Sequence, residues 1–206
     1  MKKIISLLLL IGAVIFIGFF AYTTYQYYTF LHSDDPIDPY LSVTSGNATI
    51  VRGNDLAIDM WSGEVYEVRS WDIIITRDDS FAVIHFPDHS VTRIGEKGRL
   101  TINTMEVSRD YSKIEVDITI EQGKIWNRVV RTIYPGSFFR VNLPTGGIIA
   151  WVRGTTFDIN LELSYIRAVD HSVLLEDSLG RTVSLLPGEA VNAQNILEKV
   201  SSTVRD

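Results

Sequence analysis

From Asn47 to about Gln194 the chain alternates apolar and polar side chains instead of cycling with a helical period. Lys113-Ile-Glu-Val-Asp-Ile-Thr-Ile-Glu121 keeps strict period two, as does Thr156-Phe-Asp-Ile-Asn-Leu-Glu-Leu163. On a helix these apolar positions would scatter around the circumference. On a strand they make one buried face and one wet face. The same pattern predicts strands at Thr49–Arg52, Val65–Val68, Asp72–Thr76, Phe81–Phe86, Ser90–Ile94, Leu100–Val107, Lys124–Val130, Phe138–Leu143, Ile148–Val152, Tyr165–Val169, Ser172–Glu176 and Arg181–Leu186. Turn-forming clusters separate them, among them Ser62-Gly63, Pro87-Asp88-His89, Gly95-Glu96-Lys97-Gly98, Pro144-Thr145-Gly146-Gly147 and Pro187-Gly188. Short strands at this spacing predict an all-β domain over residues 41–194, built as a two-sheet sandwich or a coiled solenoid; both give short alternating strands. No countable repeat is present, only a loose recurrence of glycine before a strand. Asn195–Val204, in a tail of residues 195–206, reads as a short capped helix.

The first thirty residues follow a different pattern. A basic head, Met1-Lys2-Lys3, precedes an apolar run from Ile4 to Phe20 whose one polar side chain is Ser6. The run then becomes aromatic through Tyr22, Tyr25, Tyr27, Tyr28 and Phe30. As a helix, residues 4–25 would be roughly 33 Å long, enough to cross a hydrocarbon core. Lys2 and Lys3 before the span, with no Lys or Arg after it until Arg52, set the N-terminus inside and the domain outside the cytoplasm. The tyrosines form the outer interfacial belt. A cleaved signal peptide shares the head and the run, but cuts after Ala21 or Gly18 place Phe19 or Phe16 where a small residue is needed. The expectation is therefore an uncleaved anchor in residues 1–31, followed by an acidic, two-proline linker over residues 32–40.

Composition narrows the function. The net charge is −6, with 19 Lys+Arg against 25 Asp+Glu and no visible basic cluster, which argues against nucleic acid. Apolar residues make up 46%, enough for a packed core. The absence of cysteine removes disulfide scaffolds, thiol catalysis and cysteine-linked lipid.

Several strings resemble the FecR-like extracytoplasmic domain, over about Leu41 to Val191. The first half carries Asp72-Ile-Ile-Ile-Thr76 and Ser80-Phe-Ala-Val-Ile-His-Phe-Pro-Asp-His-Ser90. Here Asp88-His89-Ser90 stands where the family usually has an Asp-Gly-Ser turn; a His can occupy left-handed geometry only at some cost, so an altered turn is an open expectation. The second half is more specific. Gly123-Lys-Ile-Trp-Asn-Arg-Val129 resembles the family's glycine, tryptophan and Arg-Val strand, and Val152-Arg153-Gly154-Thr155-Thr156-Phe157 its Val-Arg-Gly-Thr-x-Phe core. Val183-Ser-Leu-Leu-Pro-Gly-Glu189 is similar to its closing strand and turn. The resemblance implies an extracytoplasmic interaction role. In the founders, a cytoplasmic domain handles a sigma factor and a further segment meets an outer-membrane receptor. The head Met1-Lys2-Lys3 is too short for the former, and little chain follows the domain.

Candidate chemistry is sparse. Val152, Arg153, Gly154, Thr155, Phe157, Gly123, Trp126, Asp88 and Ser90 carry the family pattern, and the expectation for them is structural: a backbone bulge at Gly154, Arg153 paired with an internal acid, Phe157 packed inward. His85 and His89 lie four apart with Asp88 between, a conceivable metal pair, but on a strand and turn that spacing need not converge as it would on a helix; no metal and no cofactor are expected. Asp110, Glu115, Asp117, Glu121, Asp158, Glu162 and Asp170 contain enough acids for a glycosidase pair, yet most fall on the polar phase, where solvated charge is expected. Trp61, Trp71, Trp126 and Trp151 are expected as core or partly buried packing. Trp126 shares its phase with Lys124 and Arg128, which makes Trp126 and Arg128 the candidate surface contact. Asn47-Ala48-Thr49 fits a glycosylation acceptor. The sequence thus predicts no enzyme but a membrane-anchored, extracytoplasmic binding module, in contact with lipid through residues 4–25 and with a protein or cell-envelope ligand. Alternatives are signal transduction through a separate cytoplasmic partner and a surface glycan hydrolase.

Overall fold

The computed structural model describes residues 16–24, 38–53, 56–108, 113–130, 136–144 and 147–192. The chain divides into two compact units, residues 1–37 and 38–206. In the first, residues 16–24 are helical and expose Phe16, Phe20 and Tyr22. Among the described residues no helix is long and apolar enough to cross a membrane. Most of the span read over residues 4–25 lies outside the described residues, with Lys2, Lys3, Tyr25, Tyr27, Tyr28, most of the linker and the C-terminal helix.

The second unit is all β. Its strands are β1 (Tyr40–Ser45), β2 (Asn47–Arg52), β3 (Leu56–Trp61), β4 (Val65–Glu67), β5 (Ile73–Thr76), β6 (Phe81–His85), β7 (Val91–Ile94), β8 (Arg99–Val107), β9 (Ile114–Gln122), β10 (Lys124–Arg128), β11 (Phe138–Asn142), β12 (Ile149–Val152), β13 (Thr156–Asn160), β14 (Tyr165–Asp170), β15 (Val173–Glu176), β16 (Thr182–Leu185) and β17 (Ala190–Asn192). The alternating segments fold as strands because their inward phase is apolar: Ile114, Val116, Ile118 and Ile120 of β9 are all buried. The second alternating segment is cut short. β13 ends at Asn160, whose side-chain oxygen accepts from the Leu163 amide and turns the chain at Leu161–Ser164.

The strands form two sheets. Sheet A has the order β17-β14-β13-β10-β7-β6-β1-β4, and sheet B the order β16-β15-β12-β11-β9-β8-β5-β2-β3. One hydrophobic cluster draws on both, with Leu41, Ile84, Ile125 and Phe157 from sheet A and Ile50, Ile74, Ile118 and Leu175 from sheet B. This is a sandwich. Yet strand order in each sheet nearly follows chain order, because the chain passes repeatedly from one sheet to the other as it advances. A coil-like turn appears where β9 leads through β10 in sheet A to β11, which returns to sheet B parallel to β9. The other pairs among the described residues are antiparallel.

Changing sheets needs a sharp corner, and the backbone marks it. The step from β9 to β10 is the single residue Gly123, at φ +82°. The step from β12 to β13 runs through Arg153-Gly154-Thr155, with Gly154 at φ +68°. The family-specific glycines are thus corner residues, where a left-handed backbone costs glycine little. Other corners use costlier residues: Trp71, Lys97 and His171 also have positive φ.

Candidate functional site

The outer face of sheet A carries a ladder of side chains set by strand register. Arg93 of β7 pairs with Trp126 of β10, Trp126 with Asp158 of β13, and Asp158 with Arg167 of β14. These four point outward because their neighbours Ile94, Ile125, Phe157 and Ile166 fill the core. The Arg93 guanidinium lies 4.3 Å from the centroid of the Trp126 ring, a cation–π contact. Asp158 is completely buried although it faces outward. Tyr165 donates its hydroxyl to the Asp158 carboxylate at 2.8 Å, and Arg167 donates Nε at 2.8 Å. Burial, then the hydrogen bond to Asp158, raises the Tyr165 pKa above its ordinary value, and the hydrogen bond from Arg167 to Asp158 raises that of Arg167. Asp158 is an anchor whose carboxylate is paired with Arg167 and bonded by Tyr165.

Beside Trp126 lies a groove of about 380 Å³, lined by Phe81, Val83, Arg93, Gly95, Lys124 and Trp126 among others. Gly95 is its floor. A Cβ there would meet the Lys124 backbone oxygen at 3.3 Å, tight contact but no overlap, and the residue does not have positive φ. Phe81 is 47% exposed at the groove. Arg93 and Lys124 line it without an ion pair among the described residues, and Arg128, farther along β10, has none either. Arg128 donates to the His89 carbonyl at 3.3 Å. By contrast Arg52, Arg99, Arg140 and Arg167 each meet a carboxylate.

Sheet B carries a second ladder. Asp117 of β9 is in register with Arg140 of β11, and Arg140 with Trp151 of β12. Arg140 bonds Asp117 and lies 5.2 Å from the Phe138 ring centroid and 5.6 Å from that of Trp151. Trp151 donates its indole N–H to Glu176 at 2.6 Å. A shallower groove of about 300 Å³ runs past Trp151, Arg153 and Leu174. Arg140 is spent on Asp117, so this face is less available to an incoming anion.

The family-pattern residues fall into two structural groups. Val152 and Phe157 are core, with Phe157 fully buried. Gly154 turns the chain between the sheets, Thr155 bonds the Asp170 carbonyl, and the Val129 amide donates to the Thr155 carbonyl at 2.9 Å. Arg153 is exposed. The Asp88 carboxylate accepts from the Ser90 amide at 2.9 Å and the Ser90 hydroxyl at 2.8 Å, while Ser90 Oγ accepts from the Val130 amide at 2.8 Å. His89 sits at φ +65° between them. His85 turns away from this turn: its ring stacks on Tyr40 at 4.5 Å and its Nε2 bonds Ser42 Oγ at 3.0 Å. Burial, then the nearby Arg93 charge, lowers the His85 pKa.

Two expectations are overturned. Asp117 and Asp158 are buried beside arginines, not solvated, because neighbouring strands supply a cation in register. The expectation for the tryptophans fails at two of the four: Trp61 and Trp71 are 61% and 71% exposed, whereas Trp126 and Trp151 are half-buried, as expected. Asp110 lies outside the described residues; Glu121, Glu162 and Asp170 are exposed and Glu115 is half-buried. Trp126 and Arg128 do share the outer face, but the groove also needs Arg93, Phe81 and Gly95. β6 and β7 were readable as strands, but the meeting of these residues with β10 is a matter of register.

The family described as FecR protein matches residues 72–176, which span β5 to β15. Two crystal structures of a "putative anti-sigma factor" from Parabacteroides distasonis ATCC 8503, at 1.65 Å and 2.50 Å, are similar to the chain with a TM-score of 0.44 and 19% identity. The similarity covers 60% of this chain and 56% and 55% of those chains, so it spans little more than half their length. No curated protein matches. With the matched stretch extending over half of the sequence and containing both the Gly123 corner and the Val152–Phe157 crossover, the chain belongs to the FecR family.

Proposed function

We propose that the protein is a membrane-anchored, extracytoplasmic interaction module that works by binding and not by catalysis. The observation that carries this reading is the contrast on the outer face of sheet A. Its buried acid, Asp158, is quenched by Arg167 and Tyr165, whereas Arg93, Lys124 and Trp126 line an open groove. A sandwich that spends its acids on internal anchoring and leaves cations and rings on a rigid face is suited to holding a partner. The basic head and apolar run before the domain support the anchor and its direction. Membership of the FecR family supports a regulatory use of that binding, in which a separate cytoplasmic partner reads the anchor.

The test places a photo-crosslinking side chain at exposed positions of each outer face in intact cells, with protease added from outside. Discrete adducts from a face of the domain, and digestion of the domain without lysis, are expected. Absence of adducts from every face, or protection until lysis, overturns the reading.

A further inference from the structure

The groove beside Trp126 has a chemistry specific enough to name the class of its occupant, given the binding reading above. Lys124, Trp126 and Arg128 project from one strand at every second position, so they stand about 6.7 Å apart along β10. Lys124 and Arg128 are exposed and Trp126 is half-buried between them. Arg93 stacks on the ring from the neighbouring strand at 4.3 Å. None of the three cations has a carboxylate partner among the described residues, although the chain as a whole is acidic with net charge −6. The walls of the groove are apolar, from Phe81, Val83 and Trp126, and its lining includes two cations and no acid.

Gly95 lines the groove; its φ is not positive, and a Cβ there would crowd the Lys124 carbonyl oxygen at 3.3 Å, so the absence of a side chain also serves the packing against β10. The strand beneath is interior, paired to β7 on one side and β13 on the other, so its backbone hydrogen bonds are used. An occupant is therefore held by side chains across the face, not added as an edge strand.

We propose that this groove binds an extended acidic segment of a partner protein, with an aromatic or large aliphatic side chain seated beside Trp126 and a carboxylate two residues to each side. An extended chain laid along β10 has the same repeat as the strand, so its alternate side chains meet Lys124, Trp126 and Arg128 in turn. The net negative charge disfavours an anionic bilayer or a nucleic acid, which would meet the field of the whole chain and not a local group of three cations.

The experiment measures binding of a labelled peptide, acetyl-Asp-Thr-Phe-Thr-Asp-amide, to the full chain in detergent solution by fluorescence anisotropy. The matching peptide with Lys in place of both Asp is the control. Saturable binding of the acidic peptide, absent for the basic one and weakened by salt, is expected. Trp126→Ala should weaken it by at least about tenfold, and Trp126→Phe by less. The double variant Lys124→Glu/Arg128→Glu alters only exposed side chains and should reverse the preference toward the basic peptide. Unfolding of each variant followed by circular dichroism separates lost binding from lost fold. Equal binding of both peptides, unchanged affinity in Trp126→Ala, no reversal in the double variant, or displacement of the peptide by phosphatidylglycerol vesicles overturns the proposal. If the peptide fails while crosslinked adducts still form on another face, the interaction reading stands and only this groove loses its assignment.

Discussion

Replacing Gly123 by alanine tests whether the family glycine is a corner in the physical sense argued above. Two penalties apply. Gly123 has φ +82°, where a side chain strains the backbone by about 1–2 kcal/mol. A Cβ would also stand 2.9 Å from the Gly98 Cα and 3.1 Å from the Lys97 carbonyl oxygen. Both are backbone atoms and cannot rotate away, which adds roughly 1–3 kcal/mol of overpacking. Gly188 supplies the control. Its φ is +84°, but nothing lies within 4 Å of the position a Cβ would take. Gly188→Ala should therefore lose only the backbone part, about 1–2 kcal/mol. Urea unfolding followed by far-ultraviolet circular dichroism measures both, and an unchanged denaturant slope keeps the comparison within one unfolding transition. The expected result is a larger loss for Gly123→Ala by about 1–3 kcal/mol. Equal losses in the two variants would refute the close approach of the β9–β10 corner to the β7–β8 turn.

Three further outcomes follow from side chains in known settings. His89→Gly should stabilise by about 0.5–1 kcal/mol, since it removes a side chain from φ +65° in a turn already fixed by Asp88 and Ser90; a shift of the thermal midpoint downward contradicts this. Thr92 and Asn127 form a fully buried pair, with the Thr92 hydroxyl donating to Asn127 Oδ1 at 2.7 Å while Asn127 Nδ2 has no partner among the described residues. Thr92→Val alone should cost about 1–3 kcal/mol, and Thr92→Val/Asn127→Val should recover most of it, because no unpaired amide remains; denaturation showing a double variant worse than the single one argues against it. His85 has a folded pKa below its ordinary value, so its contribution is complete above about pH 6.5 and is lost as pH falls through the folded value. Wild type should therefore lose more stability than His85→Gln between neutral and mildly acidic pH, and parallel profiles would exclude the effect.

The order of strands along the chain was largely legible because alternation is a local property. A strand with one face in the core repeats every second residue, as β9 and β13 show, while β5, β6 and β12 were readable as short apolar runs bounded by turn residues. Three strands escaped for identifiable reasons. β1 begins at Tyr40, directly after the prolines of the linker, and its place depends on β4 and β6 pairing with it. β3 is an edge strand that exposes Leu56 and Trp61, so its pattern is not that of a half-buried strand. β17 has only three residues.

Of the site, the sequence by itself placed Lys124, Trp126 and Arg128 on one face of one strand, because that follows from the pleat. Only the tertiary structure decided which sheet each strand joins: both sheets feed one core, so their inward phases look alike in sequence. It alone also brought Arg93 onto Trp126 and put Arg167 against Asp158, turning an acid on the polar phase into a buried anchor. Cross-strand register is fixed by hydrogen-bonded neighbours far apart in the chain, and no local periodicity encodes which side chains they place opposite one another.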